Sequence, residues 1–252
     1  MEWKISKALK FFKIDAFTKL DIKCNVHMFW QQTKDLTALN LTNKPANHQS
    51  EEAQKVAANA RYEVPTWKQI YEMLFNQAEK IQGDGYKPDI IVGIARGGLV
   101  PSRILADLLE TRDFAIITIE YYCGIAQTKQ EPILKQCLHT QLTDKKVLLV
   151  DDVSDGGRSL QLAKKHLEEQ CAKEIKIATL YCKPGTITKP DYFEKETSHW
   201  IVFPWEARET MTRIMQRAED KRALGREITN LVRAGLPKQL AEKLLNHGGK
   251  SR

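Results

Sequence analysis

The stretch Val147-Leu148-Leu149-Val150-Asp151-Asp152-Val153-Ser154-Asp155-Gly156-Gly157-Arg158-Ser159-Leu160 decides the fold. Its four leading apolar residues make the short continuous run typical of strands buried on both faces of a parallel sheet. Two adjacent carboxylates, Asp151 and Asp152, close the run and are expected to reach solvent. A turn with paired glycines and hydroxyls follows, and a helix is expected from Ser159 to Glu169. Such a turn aims successive N–H groups at an anion, helped by the positive end of the helix. Paired carboxylates suit sugar hydroxyls and a hard cation such as Mg²⁺. The pattern GxxxxGK[ST] is absent and the carboxylates precede the glycines, which excludes a Walker A loop. No GxGxxG follows a strand, which excludes the dinucleotide fingerprint.

Outward from this stretch the same alternation repeats. Pro88 to Ile94 is a second buried strand, followed by the turn Ala95-Arg96-Gly97-Gly98 and a helix from Val100 to Leu109. Ala115–Ile119, Ile175–Tyr181 and His199–Phe203 read as further strands, and residues 121–142, with Gly124 and Pro132, as an irregular lid-like segment. Upstream, Trp67, Ile70, Tyr71, Leu74, Phe75 and Ala78 recur at helical spacing behind a candidate N-cap, Thr66, and Gly83-Asp84-Gly85 ends that helix. Strands alternating with helices define an α/β fold with a mainly parallel twisted sheet. Residues 209–252 read as helical, with one turn near Ala234-Gly235-Leu236-Pro237.

The chain has 252 residues with 42% hydrophobic and 28% charged, an ordinary globular composition. Its net charge of +7 sits on the flanks: +3 in residues 1–60, −1 in 61–208 and +5 in 209–252. Three parts follow: a basic, poorly ordered extension (1–60), a central domain (61–208) and a basic helical extension (209–252). Lys4, Lys7, Lys10 and Lys13 suggest one amphipathic helix in the first part. Nucleic acid could be a partner only through these flanks, and the neutral central part gives it no footing. Five cysteines without a CxxC suit free thiols in a reducing cytoplasm. No apolar run approaches the roughly 20 residues of a membrane span.

The Val147–Leu160 segment resembles the phosphoribosyl pyrophosphate (PRPP) motif of type I phosphoribosyltransferases. The resemblance extends from about Val64 to Arg208. Val92-Gly93-Ile94-Ala95-Arg96-Gly97-Gly98-Leu99-Val100-Pro101 looks like the family's pyrophosphate loop. Lys183-Pro184 and Trp200-Ile201-Val202-Phe203-Pro204-Trp205-Glu206 are similar to the base-binding part of its xanthine–guanine and archaeal purine branch. One position departs: Gly156 stands where the family usually has Thr, which keeps the N–H and loses a hydroxyl.

The resemblance implies transfer of phosphoribose from PRPP to a 6-oxopurine. Ser154, Asp155, Gly156, Gly157, Arg158 and Ser159 would form the 5′-phosphate loop, and Asp151 and Asp152 would meet the ribose hydroxyls directly or through Mg²⁺. The Arg96–Gly97 backbone would take pyrophosphate, where the family often has a cis peptide. Asp155 would be the general base near N7, Lys183 would face O6, and Trp200 and Ile201 would hold the base by stacking and backbone. Glu206 is a weaker candidate for the base or a metal-bound water. Tyr121, Tyr122, Lys129 and Lys135 would belong to the lid. The resemblance also implies a homo-oligomer, dimeric or tetrameric, and a cytoplasmic enzyme of purine salvage. The alternatives are a phosphoribosyltransferase for another base, or a PRPP-sensing regulator whose flanks bind nucleic acid.

Overall fold

The computed structural model describes residues 62–122, 131–138 and 140–248. The 1–60 extension, Cys24, Cys123, Gly124 and Lys129 lie outside the described residues. The elements in chain order are β1 (Tyr62–Glu63), α1 (Trp67–Gly83), β2 (Ile90–Ala95), α2 (Leu99–Leu108), β3 (Asp113–Tyr122), β4 (Glu131–Gln136) and β5 (Lys146–Ser154). Then come α3 (Arg158–Glu169), β6 (Glu174–Cys182), β7 (Tyr192–Glu196), β8 (Trp200–Ile201), α4 (Ala207–Arg217), α5 (Lys221–Arg233) and α6 (Lys238–Gly248).

The continuous apolar runs become the centre of a six-stranded sheet ordered β4-β3-β2-β5-β6-β7. All its pairings are parallel except β3 with β4. Alternation along β5 divides the core. Leu148 and Val150 pack with Ile70 and Leu74 of α1 and Leu105 of α2. Val147 and Leu149 face the other way, onto Leu160, Ala163 and Leu167 of α3. The chain runs from β2 to β3 on one side and resumes at β5 on the other, so the adjacent carboxyl ends of β2 and β5 form the topological switch point where open sheets bind ligands.

Several sequence expectations need correction. Residues 121–142 are not irregular throughout: β3 continues to Tyr122, and β4 pairs with it antiparallel across Tyr121↔Pro132. Pro132 reads as a breaker, yet an edge strand tolerates the missing N–H. The strand expected at 199–203 shrinks to Trp200–Ile201, which pairs not with the main sheet but with β1, Tyr62↔Trp200 and Glu63↔Ile201. The sheet's edge is instead β7, whose Tyr-Phe-Glu-Lys-Glu carries no apolar run. On α1, Ile70, Leu74 and Ala78 are buried while Trp67, Tyr71 and Phe75 stay exposed, so the apolar pattern spans two faces. The 208/209 boundary falls inside α4. Residues 209–248 form three helical segments that share a core with the central part: Met211, Leu231, Leu236 and Ala241 pack with Val202, Tyr62 and Val64. The Tyr62 hydroxyl donates to Glu227 of α5. No helix among the described residues is long and apolar enough to cross a membrane.

Candidate active site

The turn from β5 into α3 has the backbone an anion needs. Gly157 has φ +79, and a Cβ there would meet Thr186 Oγ1 at 2.5 Å and Thr188 N at 2.6 Å, so only glycine fits. It begins α3 with no side-chain cap, leaving the first N–H groups of the helix without intrahelical partners. Asp155, Gly156 and Arg158 are exposed and Ser159 half-buried. Ser159 Oγ donates to Tyr121 Oη at 3.0 Å, and Arg158 Nη1 donates to Glu131 Oε1 at 3.1 Å, so the β3–β4 arm touches this turn twice. Lys135 of the same arm pairs with Glu120 at 3.8 Å. Ser154 is a correction to the loop list. It is wholly buried, and its hydroxyl is committed to Thr188 O at 2.7 Å and Thr186 Oγ1 at 2.8 Å, because β5 turns it toward the 186–188 loop.

The second turn, from β2 into α2, lies against the end of β5. Its Ala95–Arg96 peptide is cis. A Cβ on Gly97 would stand 2.3 Å from Asp152 Oδ2, and one on Gly98 would stand 2.4 Å from Val150 O. Both glycines are therefore demanded by close approach. The N-cap of α2, Gly98, also makes no side-chain bond. Arg96 is exposed and donates to Glu209 Oε2 at 2.8 Å, while Glu209 Oε1 accepts from Arg213 at 2.7 Å. Glu209 was not among the sequence candidates, since nothing in the chain pattern brings α4 to Arg96.

Asp151 and Asp152 are not delivered into solvent: each is only 8% exposed. Alternation turns Asp151 toward the α3 side and Asp152 toward Gly97 and Glu206. Burial raises the Asp151 pKa well above the carboxylate range, Asp152 adds to the rise, and the N–H groups of Asp152 and Gly98 oppose it. Asp151 Oδ1 accepts from Asp152 N at 2.9 Å. Burial, then Glu206, pushes Asp152 up to about 7. The Trp205 indole N–H favours the charged form of Asp152 by proximity but makes no hydrogen bond of normal geometry. Glu206 is raised as well, chiefly by burial, and the Phe203 N–H opposes the rise. Among the described residues no three His, Cys, Asp or Glu side chains gather as a metal cage. That donor set still fits Mg²⁺, which takes one or two protein carboxylates and completes its shell with substrate oxygens and waters.

The base-side candidates converge at the end of β6. The Lys183 ammonium donates to the His199 carbonyl just before β8. Burial lowers its pKa, while Asp155 and Glu63 act the other way, so ammonium and the candidate base are neighbours. Trp200 keeps 38% of its surface, which sets aside a core role; Trp205 instead joins the aromatic stack, 4.8 Å from Phe203. Ile201 is buried, and its backbone lies in the pairing with Glu63.

Two helix ends without side-chain caps and two buried acids come together at the switch point, where open sheets bind ligands. The phosphoribosyl transferase domain family matches residues 66–210, and the chain belongs to that family. A xanthine-guanine phosphoribosyltransferase of Cereibacter sphaeroides is 31% identical over 150 residues, covering 56% of this chain and 84% of the relative. Xanthine phosphoribosyltransferase 1 of Saccharomyces cerevisiae is 26% identical over 195 residues, 60% of this chain and 92% of the relative. The crystal structure of a purine phosphoribosyltransferase from Pyrococcus horikoshii is 42% identical with a TM-score of 0.54, over 57% of this chain and 93% of that one.

Proposed function

We propose that the chain transfers the 5-phosphoribosyl group of PRPP to a 6-oxopurine, guanine, hypoxanthine or xanthine, and releases the nucleoside 5′-monophosphate and pyrophosphate. The observation that carries this reading is that one uncapped glycine turn closes on Asp152 while the other leaves the carboxyl end of the same strand. In it, the 5′-phosphate takes the N–H groups of residues 156–159 and the Ser159 hydroxyl. Pyrophosphate takes the backbone of Arg96 and Gly97, with the Arg96 guanidinium beside it. Asp151 and Asp152 face the ribose hydroxyls. Asp151 and Asp152 would hold Mg²⁺, which would supply Lewis-acid neutralisation of the leaving pyrophosphate.

Lys183 only donates, so it selects a keto oxygen at C6 and disfavours the adenine amino group. Trp200 stacks on the base and the Ile201 backbone meets its edge. As N9 bonds to C1 and the C1–pyrophosphate bond breaks, Asp155 takes or shares the purine proton. The same reading makes the protein a cytoplasmic homo-oligomer of purine salvage.

The test is PRPP- and Mg²⁺-dependent pyrophosphate release with each of the three bases. No release with any of them overturns the reading. Lys183→Ala should lower kcat/KM for the base by about 10- to 100-fold, the scale of a charged hydrogen bond. The PRPP KM should stay unchanged.

A further inference from the structure

The head of α4 brings two carboxylates to the site. Burial, and then the charge of the N-cap Glu206, raise Asp152. Glu206 itself, raised chiefly by burial, feels Glu209, Arg213 and Arg96. Glu209, in the first turn of α4, uses each of its oxygens on a different guanidinium. Oε2 accepts from Arg96 at 2.8 Å, and Oε1 accepts from Arg213 at 2.7 Å. Arg213 stands at i+4 on the same helix, the spacing at which such pairs meet. The backbone that carries Glu209 is held by the core. Its neighbours Thr210 and Met211 are buried, and Met211 packs with Val202, Leu231 and Ala241. Arg96 stands on a turn instead, with 80% of its side chain exposed.

We propose that Glu209 is a positioning residue for the pyrophosphate end of the substrate: it ties one edge of the Arg96 guanidinium to α4 and leaves the other N–H groups aimed at the anion before it arrives. The inference rests on the assignment of the Arg96–Gly97 turn to pyrophosphate. An exposed arginine is rich in rotamers, and ordering it on binding costs affinity. A guanidinium that gives one donor to a carboxylate keeps several for a ligand. A lone carboxylate beside an anion site would repel the ligand, but Arg213 on its second oxygen leaves the three side chains cationic together. An ion pair this exposed adds little to stability, so its geometry serves the site more than the fold. Leu231 and Ala241 belong to α5 and α6, so the carboxyl-terminal helices reach the pyrophosphate turn through α4.

The probe is inorganic pyrophosphate with Mg²⁺, titrated calorimetrically into the full chain. Glu209→Ala should weaken its binding about two- to tenfold, the cost of ordering one rotamer-rich side chain. The PRPP KM should rise by a similar factor while the base KM stays put. Glu209→Gln keeps an acceptor without the charge and should fall between the parent and Glu209→Ala. Melting temperature should shift by no more than about 4 °C in either variant. Arg96→Ala alone should weaken pyrophosphate about 10- to 100-fold. In that background Glu209→Ala should weaken it no further, because the side chain it acts through is gone. A merely structural Glu209 would cost the same in both backgrounds, and that result would overturn the proposal. So would unchanged binding in Glu209→Ala, or tighter binding, which would make Glu209 a competitor of pyrophosphate for Arg96. Each of these leaves the functional reading intact. A parent chain that binds no pyrophosphate overturns that reading, and this inference with it.

Discussion

Helices α1 and α5 begin on side chains that close them, whereas α2 and α3 begin on bare glycine. Thr66 Oγ1 accepts from Gln69 N at 3.2 Å, and Gln69 Oε1 accepts from Thr66 N at 2.8 Å, a complete capping box. Asp220 Oδ1 accepts from Ala223 N at 2.6 Å at the head of α5. Gly98 and Gly157 offer no such bond. The difference separates scaffold from site. A cap contributes about 1 kcal/mol, and the chain uses it where only folding is at stake. At the switch point the cap is missing, and the N–H groups and helix dipoles remain for an anion.

The sharpest break would come from removing the capped carboxyl-terminal scaffold. The +5 charge of residues 209–252 suggests decoration, yet Leu231, Leu236 and Ala241 are buried with Val202 in one cluster. Burial of a large apolar side chain is worth roughly 1.5–3 kcal/mol, against a total stability of about 5–15 kcal/mol. A chain of residues 62–208 should therefore lose its cooperative melt, while residues 62–252 should keep both melt and turnover. Cooperative melting and full turnover in residues 62–208 would return α5 and α6 to the status of an appendage.

Within the site, Asp151→Asn with Asp152→Asn should lower turnover about 100-fold or more, the scale of removing a preorganised electrostatic partner. Melting temperature should hold or rise, since two buried acids whose charged forms are disfavoured become neutral. A normal turnover would show that these acids are scaffold after all. The same pair sets a pH dependence. A carboxyl raised from 3.8 to about 7 favours the native state while protonated, and that contribution is lost as pH rises through the folded value. Without divalent metal, melting temperature should fall between pH 5 and 8, with a flatter slope in the double variant. Added Mg²⁺ should recover the loss at pH 8 in the parent and not in the variant.

The sequence exposes the centre of the fold because β2 and the Val147–Val150 half of β5 are buried on both faces and continuously apolar. It hides β4, β7 and the β1–β8 pair, which sit at edges or hold two residues and owe their pairing to neighbours rather than to pattern. The two glycine turns are legible for a similar reason. Turn, strand end and helix entry are contiguous, so composition reports geometry. Ser154 misleads because its partner lies 34 residues on, at Thr188. The Arg96–Glu209 pair spans 113 positions, and Tyr121 with Ser159 spans 38, so only the folded chain brings them together.

A smaller effect probes the departure at Gly156. A Cβ there meets nothing within 4 Å, and its backbone is not left-handed, so a larger residue fits without strain. Gly156→Thr would add a hydroxyl beside the bare N–H groups of α3. The PRPP KM should fall about tenfold, near the lower end of the roughly 1.5–3 kcal/mol of a hydrogen bond to a charged partner, while the base KM stays put. Gly157→Ala, one position on, should do the reverse, because its Cβ would strike Thr186 and Thr188. Equal responses at the two glycines would mean that the turn is looser than a preformed anion site requires.

The smallest effect tests the scaffold half of the comparison. Thr66→Ala removes both the acceptor for Gln69 N and the hydroxyl that meets Gln69 Oε1 at 3.0 Å. The expected loss is about 1 kcal/mol, a melting shift of about 2–4 °C in a domain of this size. Turnover and both KM values should not move, because the hydrogen bonds of Thr66 run to Gln69 and Ile70 of its own helix. A change in the PRPP KM comparable to that of Gly156→Thr would mean that the head of α1 communicates with the phosphate loop. Capped and uncapped helix ends would then cease to divide scaffold from site.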